Sequence, residues 1–190
     1  MKKIAIVIGI VVVLFAALAS PYNNLVSKRE TVDAQWAQVE NVYQRRADLI
    51  PNLVSTVKGY ASHEKETLEA VIQARSNLTK VDFGNMSQEQ LASFQSSQGA
   101  LSGALSRLML VMEKYPDLKA NQNFLELQSQ LEGTENRIAF ERKSFNDVAR
   151  SYNTDLQTFP NNLFAKLFGF DKKPYFEAEE GSNTAPKVEF

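Results

Sequence analysis

The segment His63-Glu64-Lys65-Glu66-Thr67 is where this chain comes nearest to a known catalytic pattern. Two histidines four apart on a helix, with a glutamate beside the first, hold zinc and activate a water bound to it. Thr67 stands where the second histidine is required, and the chain has 1 histidine in all. A zinc-protease reading, and every multi-histidine metal site, is thereby excluded. Glu64, Glu66 and Glu69 fall within two helical turns, but without partner ligands they form a solvated acidic face, with His63 a surface or seam-edge residue. Zero cysteines remove disulfides, thiolate metal ligands, a cysteine nucleophile and lipoprotein attachment. There is no glycine-rich phosphate loop and no Gly-x-Ser-x-Gly elbow. With 21 Lys+Arg against 22 Asp+Glu, the chain lacks the basic excess that a nucleic-acid binder needs. The expectation is no catalytic, cofactor-binding or metal-ligating residue, and no nucleic acid among the partners.

The remaining chemistry-bearing candidates are charges at positions where helical periodicity calls for apolar side chains. Val32, Trp36, Val39, Tyr43, Arg46 and Ile50 make one seam, resumed past Pro51 as Val54, Val57, Ala61, Glu64, Leu68, Val71, Arg75 and Leu78. Two successive gaps of four at Arg46, Ile50 and Val54 are a stutter. Pro51 removes a helical hydrogen bond there, so the helix is either kinked at this point or broken at Ile50. A second seam runs Leu91, Phe94, Gln98, Leu101, Leu105, Leu108, Met112 and Tyr115. A third runs Phe124, Gln128, Leu131, Glu135, Ile138, Arg142, Phe145, Ala149, Tyr152 and Leu156. Arg46, Glu64, Arg75, Glu135 and Arg142 therefore either pair as a polar layer that fixes helix register, or lie at solvated seam edges, or line a functional site. Trp36 reads as a core side chain.

These candidates are positioned by an all-α framework. Ser87 and Gln90 have the spacing of a capping box, and Thr79 to Met86 has the composition of a loop. Tyr115-Pro116-Asp117 ends one helix, because the residue before a proline is pushed out of the helical region. No segment after Val32 alternates at the period of a strand. The fold expected is an N-terminal transmembrane helix followed by an antiparallel bundle of three to four long helices. The chain of 190 residues, 44% of them apolar, suffices for one such core.

Lys2 and Lys3 precede an apolar run from Ile4 to Ala19, about 24 Å as a helix, which Ser20, Pro21 and Tyr22 extend toward the roughly 30 Å hydrocarbon thickness. Both a retained anchor and a cleaved signal peptide fit, since Ala17-Leu18-Ala19 suits a cleavage site. Lys28 and Arg29 on the far side nearly balance the charge rule for orientation, leaving a weak lean toward an extracytoplasmic bundle. At the other end, Leu163, Phe164, Leu167, Phe168 and Phe170 with Lys172 and Lys173 form a short amphipathic segment. It either caps the bundle or contacts a partner or membrane surface. Residues 177–190 read as a flexible tail.

The motifs Tyr22-Asn23-Asn24-Leu25-Val26, Trp36 and Arg45-Arg46-Ala47-Asp48-Leu49-Ile50-Pro51-Asn52-Leu53-Val54 resemble the LemA family. So do Tyr60-Ala61-Ser62-His63-Glu64, Ala74-Arg75, Tyr115-Pro116-Asp117-Leu118-Lys119 and the stretch from Leu127 to Asn136. The likeness continues through Arg142, Phe145-Asn146, Tyr152-Asn153, Phe159-Pro160 and Gly169-Phe170 to Tyr175-Phe176-Glu177. Ser144-Phe145 departs from the family's usual aromatic followed by tyrosine, with Phe145 keeping its seam position. The resemblance implies a bacterial protein held in the cytoplasmic membrane by one N-terminal helix, and a deliberate helix kink or boundary at Pro51. It carries no catalytic or cofactor residue, and a magnetosome-associated branch points toward membrane organisation. The organisation expected is an anchor over 1–20, a LemA-like bundle over 21–159, an amphipathic capping segment over 160–176 and a tail over 177–190. Expected partners are the lipid bilayer, through residues 4–22, and envelope proteins or a second copy. The expected role is a membrane-anchored scaffold or adaptor. The alternative is a small-ligand binder or enzyme whose inter-helix pocket is lined by Glu64, Arg75, Glu135 and Arg142.

Overall fold

The structure is a computed structural model that describes residues 2–78 and 87–177. Among the described residues six helices follow in order: α1 (Lys2–Tyr60), α2 (Lys65–Leu78), α3 (Gln88–Met112), α4 (Pro116–Lys119), α5 (Gln122–Asp155) and α6 (Asn161–Phe168). The described residues contain no strand, so the all-α expectation holds. Side-chain contacts fix the directions. α3 runs parallel to α1, since Phe94 meets Trp36, Ser102 bonds Arg46, and Tyr115 bonds Glu64. α5 runs antiparallel to it, since Asn121 bonds Tyr60, Glu135 pairs with Arg46, and Asp155 pairs with Lys28. α2 returns along α1 from the turn at 61–64 until Arg75 reaches Ala47. The result is an up-down-up-down bundle.

α1 is one helix of 59 residues with both Pro21 and Pro51 inside it. Of the two readings at Pro51, the break at Ile50 does not occur, and the helix is continuous through Pro21 as well. Pro51 has no N–H to offer the carbonyl of Ala47, four residues earlier. The guanidinium of Arg75 supplies the missing donor, its Nε lying 2.8 Å from the Ala47 oxygen. Ala47 is buried, so without Arg75 that carbonyl would be a lone acceptor in the core. A charge that periodicity placed on an apolar seam thus repairs the helix that the proline interrupts.

The helix ends instead at Tyr60, and Ala61 to Glu64 form a turn closed by Glu64 N–H donating to Ala61 O at 3.1 Å. No glycine or proline lies in the turn itself. Ser62 and His63 are weak helix formers, and the apolar phase carries through the turn from Ala61 to Leu68, so the periodicity hid it. The predicted capping box is present, with Ser87 and Gln90 bonded reciprocally at 3.2 and 2.9 Å. α3 buries Leu91, Phe94, Gln98, Leu101, Leu105, Leu108 and Met112 as its seam requires.

The core divides in two. An aliphatic cluster of Ile50, Leu53, Val57, Val71, Leu101, Leu108 and neighbours fills the end nearest the 61–64 turn. An aromatic cluster around Trp36, Tyr43, Phe94, Phe145, Tyr152 and Phe176 fills the other. Arg46, buried among them, marks the division. Among the described residues no helix is long and apolar enough to cross a membrane. The expected 79–86 loop and all but the first residue of the expected tail lie outside the described residues.

Arg75→Leu leaves the Ala47 carbonyl unsatisfied and is expected to destabilise the bundle by about 1–3 kcal/mol. In a Pro51→Ala background, where the backbone supplies its own donor, the same change costs markedly less. Denaturant titration of the four chains of this cycle in detergent measures the difference.

Candidate functional site

α1 packs along α5, and α2 along α3, while the backbones of α3 and α5 stay apart. Between them lies an open groove of about 640 Å³. Its floor is apolar, from Leu105, Met109, Leu110 and Leu131, and its rim carries Glu113, Glu132 and Glu135. Leu110, at the edge of the groove, is 71% exposed. At the base, Arg46 pairs with Glu135 at 3.0 Å and donates to Ser102 Oγ at 2.9 Å. The Glu135 side chain remains 54% exposed, so the bridge closes only the floor. Beyond Arg46 a smaller cavity of about 190 Å³ is bounded by Gln98, Gly99, Glu135 and Arg142. The Gln98 Oε1 atom is buried there without a hydrogen-bond partner among the described residues.

Nearer the aromatic end, the same α3–α5 gap is filled by the chain itself. After α6, Gly169 takes a left-handed φ of 70°, a conformation that costs a glycine little, and turns the backbone into an extended strap over residues 169–177. Two asparagines on α5 hold it. The Asn153 amide donates to Lys173 O at 2.8 Å and accepts from Lys173 N–H at 2.9 Å. The Asn146 amide does the same with Phe176, both bonds at 2.9 Å. Seven helical residues rise about 10.5 Å, close to the roughly 10 Å that three residues of non-helical chain can span, so the two amides can hold Lys173 and Phe176 together. Phe176 then stacks on Trp36 at 5.9 Å, and Arg142 lies 5.0 Å over the Phe176 ring.

Beneath the strap is a cavity of about 540 Å³ bordered by Arg29, Asp33, Trp36, Tyr152, Phe170 and Lys172. The Tyr152 hydroxyl is buried beside it with no hydrogen-bond partner among the described residues. Burial pushes the Tyr152 phenol above its ordinary value of 10.0, with Arg29 opposing the shift and Asp33 and Asp171 adding to it. The phenol of Tyr115 is also raised, chiefly because it donates to the Glu64 carboxylate at 2.9 Å.

The charged seam residues are accordingly spent in different places. Arg46 and Glu135 meet as a polar layer, Arg75 bonds Ala47, and Glu64 bonds Tyr115. Arg142 donates to the Glu177 carbonyl at 3.0 Å. Arg46, Glu135 and Arg142 border one small cavity, and Glu64 and Arg75 do not line it. His63 is exposed in the turn, and Trp36 is in the aromatic core. Among the described residues no three His, Cys, Asp or Glu side chains are grouped to hold a metal. On α5 the seam takes Thr134 and Glu141 inward, leaving Glu135 exposed and Arg142 at the edge. Glu141, a buried carboxylate held by Gln35 at 2.6 Å and Arg137 at 2.8 Å, escaped the periodicity because gaps of three and four from Leu131 admit either path.

Fold and surfaces together define a helical bundle that is closed on one side by a C-terminal strap and grooved above it. The LemA family profile matches residues 35–190, and the chain belongs to the LemA family. It is 27% identical to magnetosome protein MamQ 2 of Paramagnetospirillum magneticum over 92% of this chain and 71% of that one. It is 27% identical to Protein LemA of Metamycoplasma hominis over 83% of this chain and 69% of that one. A third relative, magnetosome protein MamQ of Magnetospirillum gryphiswaldense, is 26% identical over 95% of this chain and 74% of that one.

Asn153→Leu strands both backbone groups of Lys173 and is expected to free the strap before the bundle. Amide exchange at Lys173 and Phe176 should accelerate at least tenfold while that of Leu101 and Leu108 stays unchanged. The tyrosines make a separate pH prediction. Because both phenols hold their protons more tightly when folded, stability is level below about pH 9 and falls as pH rises through 10 and above, where the unfolded chain ionises first. Tyr152→Phe should flatten that alkaline fall, as read by melting temperature against pH.

Proposed function

We propose that the protein is a membrane-anchored scaffold whose α3–α5 groove receives a helical segment of an envelope protein. The observation that carries this is the groove: an apolar floor with an exposed leucine, rimmed by acids, running between two helices. A groove of that kind suits an amphipathic helix with basic flanks. The reading is of a binding protein rather than an enzyme. It is supported by the way the charged seam residues are engaged in separate places, by an opposite charge, a tyrosine or a backbone carbonyl, instead of converging on a reacting centre.

The anchor is residues 4–22, retained as a single span of the bacterial cytoplasmic membrane with the bundle on the extracytoplasmic side. Support for it comes from the apolar run Ile4–Ala19, the preceding lysines and the exposed state of Ile4, Ile6 and Ile8. Kinship with magnetosome proteins accords with a role in organising a membrane-associated assembly. A photo-crosslinker placed at Leu110 in native membranes should yield the same protein adducts in repeated preparations. Those adducts should vanish when Leu105→Glu fills the floor with charge. Their absence from wild type, or their persistence in the variant, refutes the groove as the docking face.

One observation favours a second reading, a small-ligand site under the strap: the buried Tyr152 hydroxyl beside a cavity of about 540 Å³. An unpaired buried hydroxyl costs roughly 1–3 kcal/mol, so Tyr152→Phe should be neutral or stabilising at pH 7 if nothing binds there. Destabilisation of the protein isolated from cells, but not of protein refolded from denaturant, would favour a bound molecule.

A further inference from the structure

We propose that α6 is an interfacial helix, laid in the headgroup layer of the same bilayer that holds α1, with a phospholipid surface covering its outer face. This rests on the anchor reading above and adds a second membrane contact to it.

The position of α6 along α1 is the first argument. Phe168 meets the Tyr22 ring at 5.0 Å and Phe170 meets it at 5.7 Å. Tyr22 lies three residues past the end of the apolar run Ile4–Ala19, about 4.5 Å along the helix axis. A segment packed at that level lies at interface depth once α1 spans the bilayer, because an interfacial helix sinks roughly 5–10 Å into the headgroup boundary.

The exposed face is the second. On α6, Leu163 and Leu167 lie about one turn apart and are 58 and 71% exposed, with Phe168 at 46%; Phe159, in the turn before the helix, is 82% exposed. Ala165 is buried on the opposite face. Large apolar side chains at this spacing, turned away from the core, form a contiguous stripe that water disfavours. Exposed Lys166 and Lys172 flank it and suit anionic headgroups, while Asp171 is the one acid of the segment. Lys28 and Lys173 are already engaged by Asp155 and Asp33. Apolar insertion is therefore the main attraction, and the exposed Lys166 and Lys172 add to it. A bilayer fits this face better than a protein, because the depth at which α6 sits is fixed by its contact with Tyr22.

The absence of cysteine makes the test direct. Full chains carrying Leu167→Cys or, as a reference, Leu110→Cys are labelled with a polarity-sensitive fluorophore. They are reconstituted into vesicles of phosphatidylethanolamine and phosphatidylglycerol, and co-flotation is scored first. The Leu167 label should be blue-shifted and quenched severalfold more by a nitroxide near the lipid headgroup than by aqueous iodide; the Leu110 label should show the reverse. Chains that float but leave the Leu167 label open to iodide overturn the interfacial helix and leave the anchor standing. Chains that do not float overturn both. A Leu167 signal that weakens as protein is diluted at constant lipid shows a second copy on this face and overturns the lipid assignment.

Discussion

The hydrogen bond from Arg75 to the Ala47 carbonyl is the interaction on which the architecture turns. A proline in a helix interior costs about 3 kcal/mol or more and ordinarily bends or ends the helix. Here α1 continues for nine residues beyond Pro51, to Tyr60, because a neighbouring helix returns the donor the backbone has lost. The bond needs α2 to run back antiparallel within side-chain reach of the interrupted turn. It therefore ties the unbroken course of α1 to the turn at 61–64 and to the placement of α2. Remove it, and the longest helix and the first hairpin lose their common constraint.

An unbroken α1 has a further consequence. At 1.5 Å per residue its 59 residues extend about 88 Å, so the apolar N-terminal run and both core clusters share one rod. No flexible link separates the anchor-like segment from the bundle. The level of every other element can thus be read against positions on α1: α6 at Tyr22, the strap at Asp33 and Trp36, the polar layer at Arg46, and α2 from Ala47 onward.

Much of this was legible in the residue order, and the parts that were not share a physical reason. The α3 seam alternated gaps of three and four without competitors, and each member from Leu91 to Met112 is buried. Ser87 and Gln90 signalled their cap locally. By contrast, the partner of Pro51 lies 24 residues away on another helix, where no periodicity can register it. The buried Glu141 lost to Arg142 because both satisfy the same spacing rule, and only the approach of Gln35 and Arg137 decides between them. Asn146 and Asn153 were visible as family motifs, but their role depends on an extended partner that has no helical period of its own. The groove was the least legible feature, since it arises from the separation of two helices rather than from any residue.

That separation follows from where the shorter elements fit. α2 has 14 residues and covers α1 and α3 only beyond the Arg46 layer, on the aliphatic half. On the aromatic half a fourth element is still needed, and the strap supplies it, bonding Gln95 of α3 and Asn146 and Asn153 of α5. The two fillers occupy different gaps: α2 lies between α1 and α3, whereas the strap lies between α3 and α5. The α3–α5 gap is consequently closed beside Trp36 and open beside Leu110. Arg46 can sit at the division because its charge faces a half-exposed Glu135 at the open end, where water lowers the cost of burying a guanidinium. Closing the groove with a longer strap would bury that pair. The same residue that separates the two cores therefore favours a bundle that stays open on one side, and this open side leaves α3 and α5 accessible together.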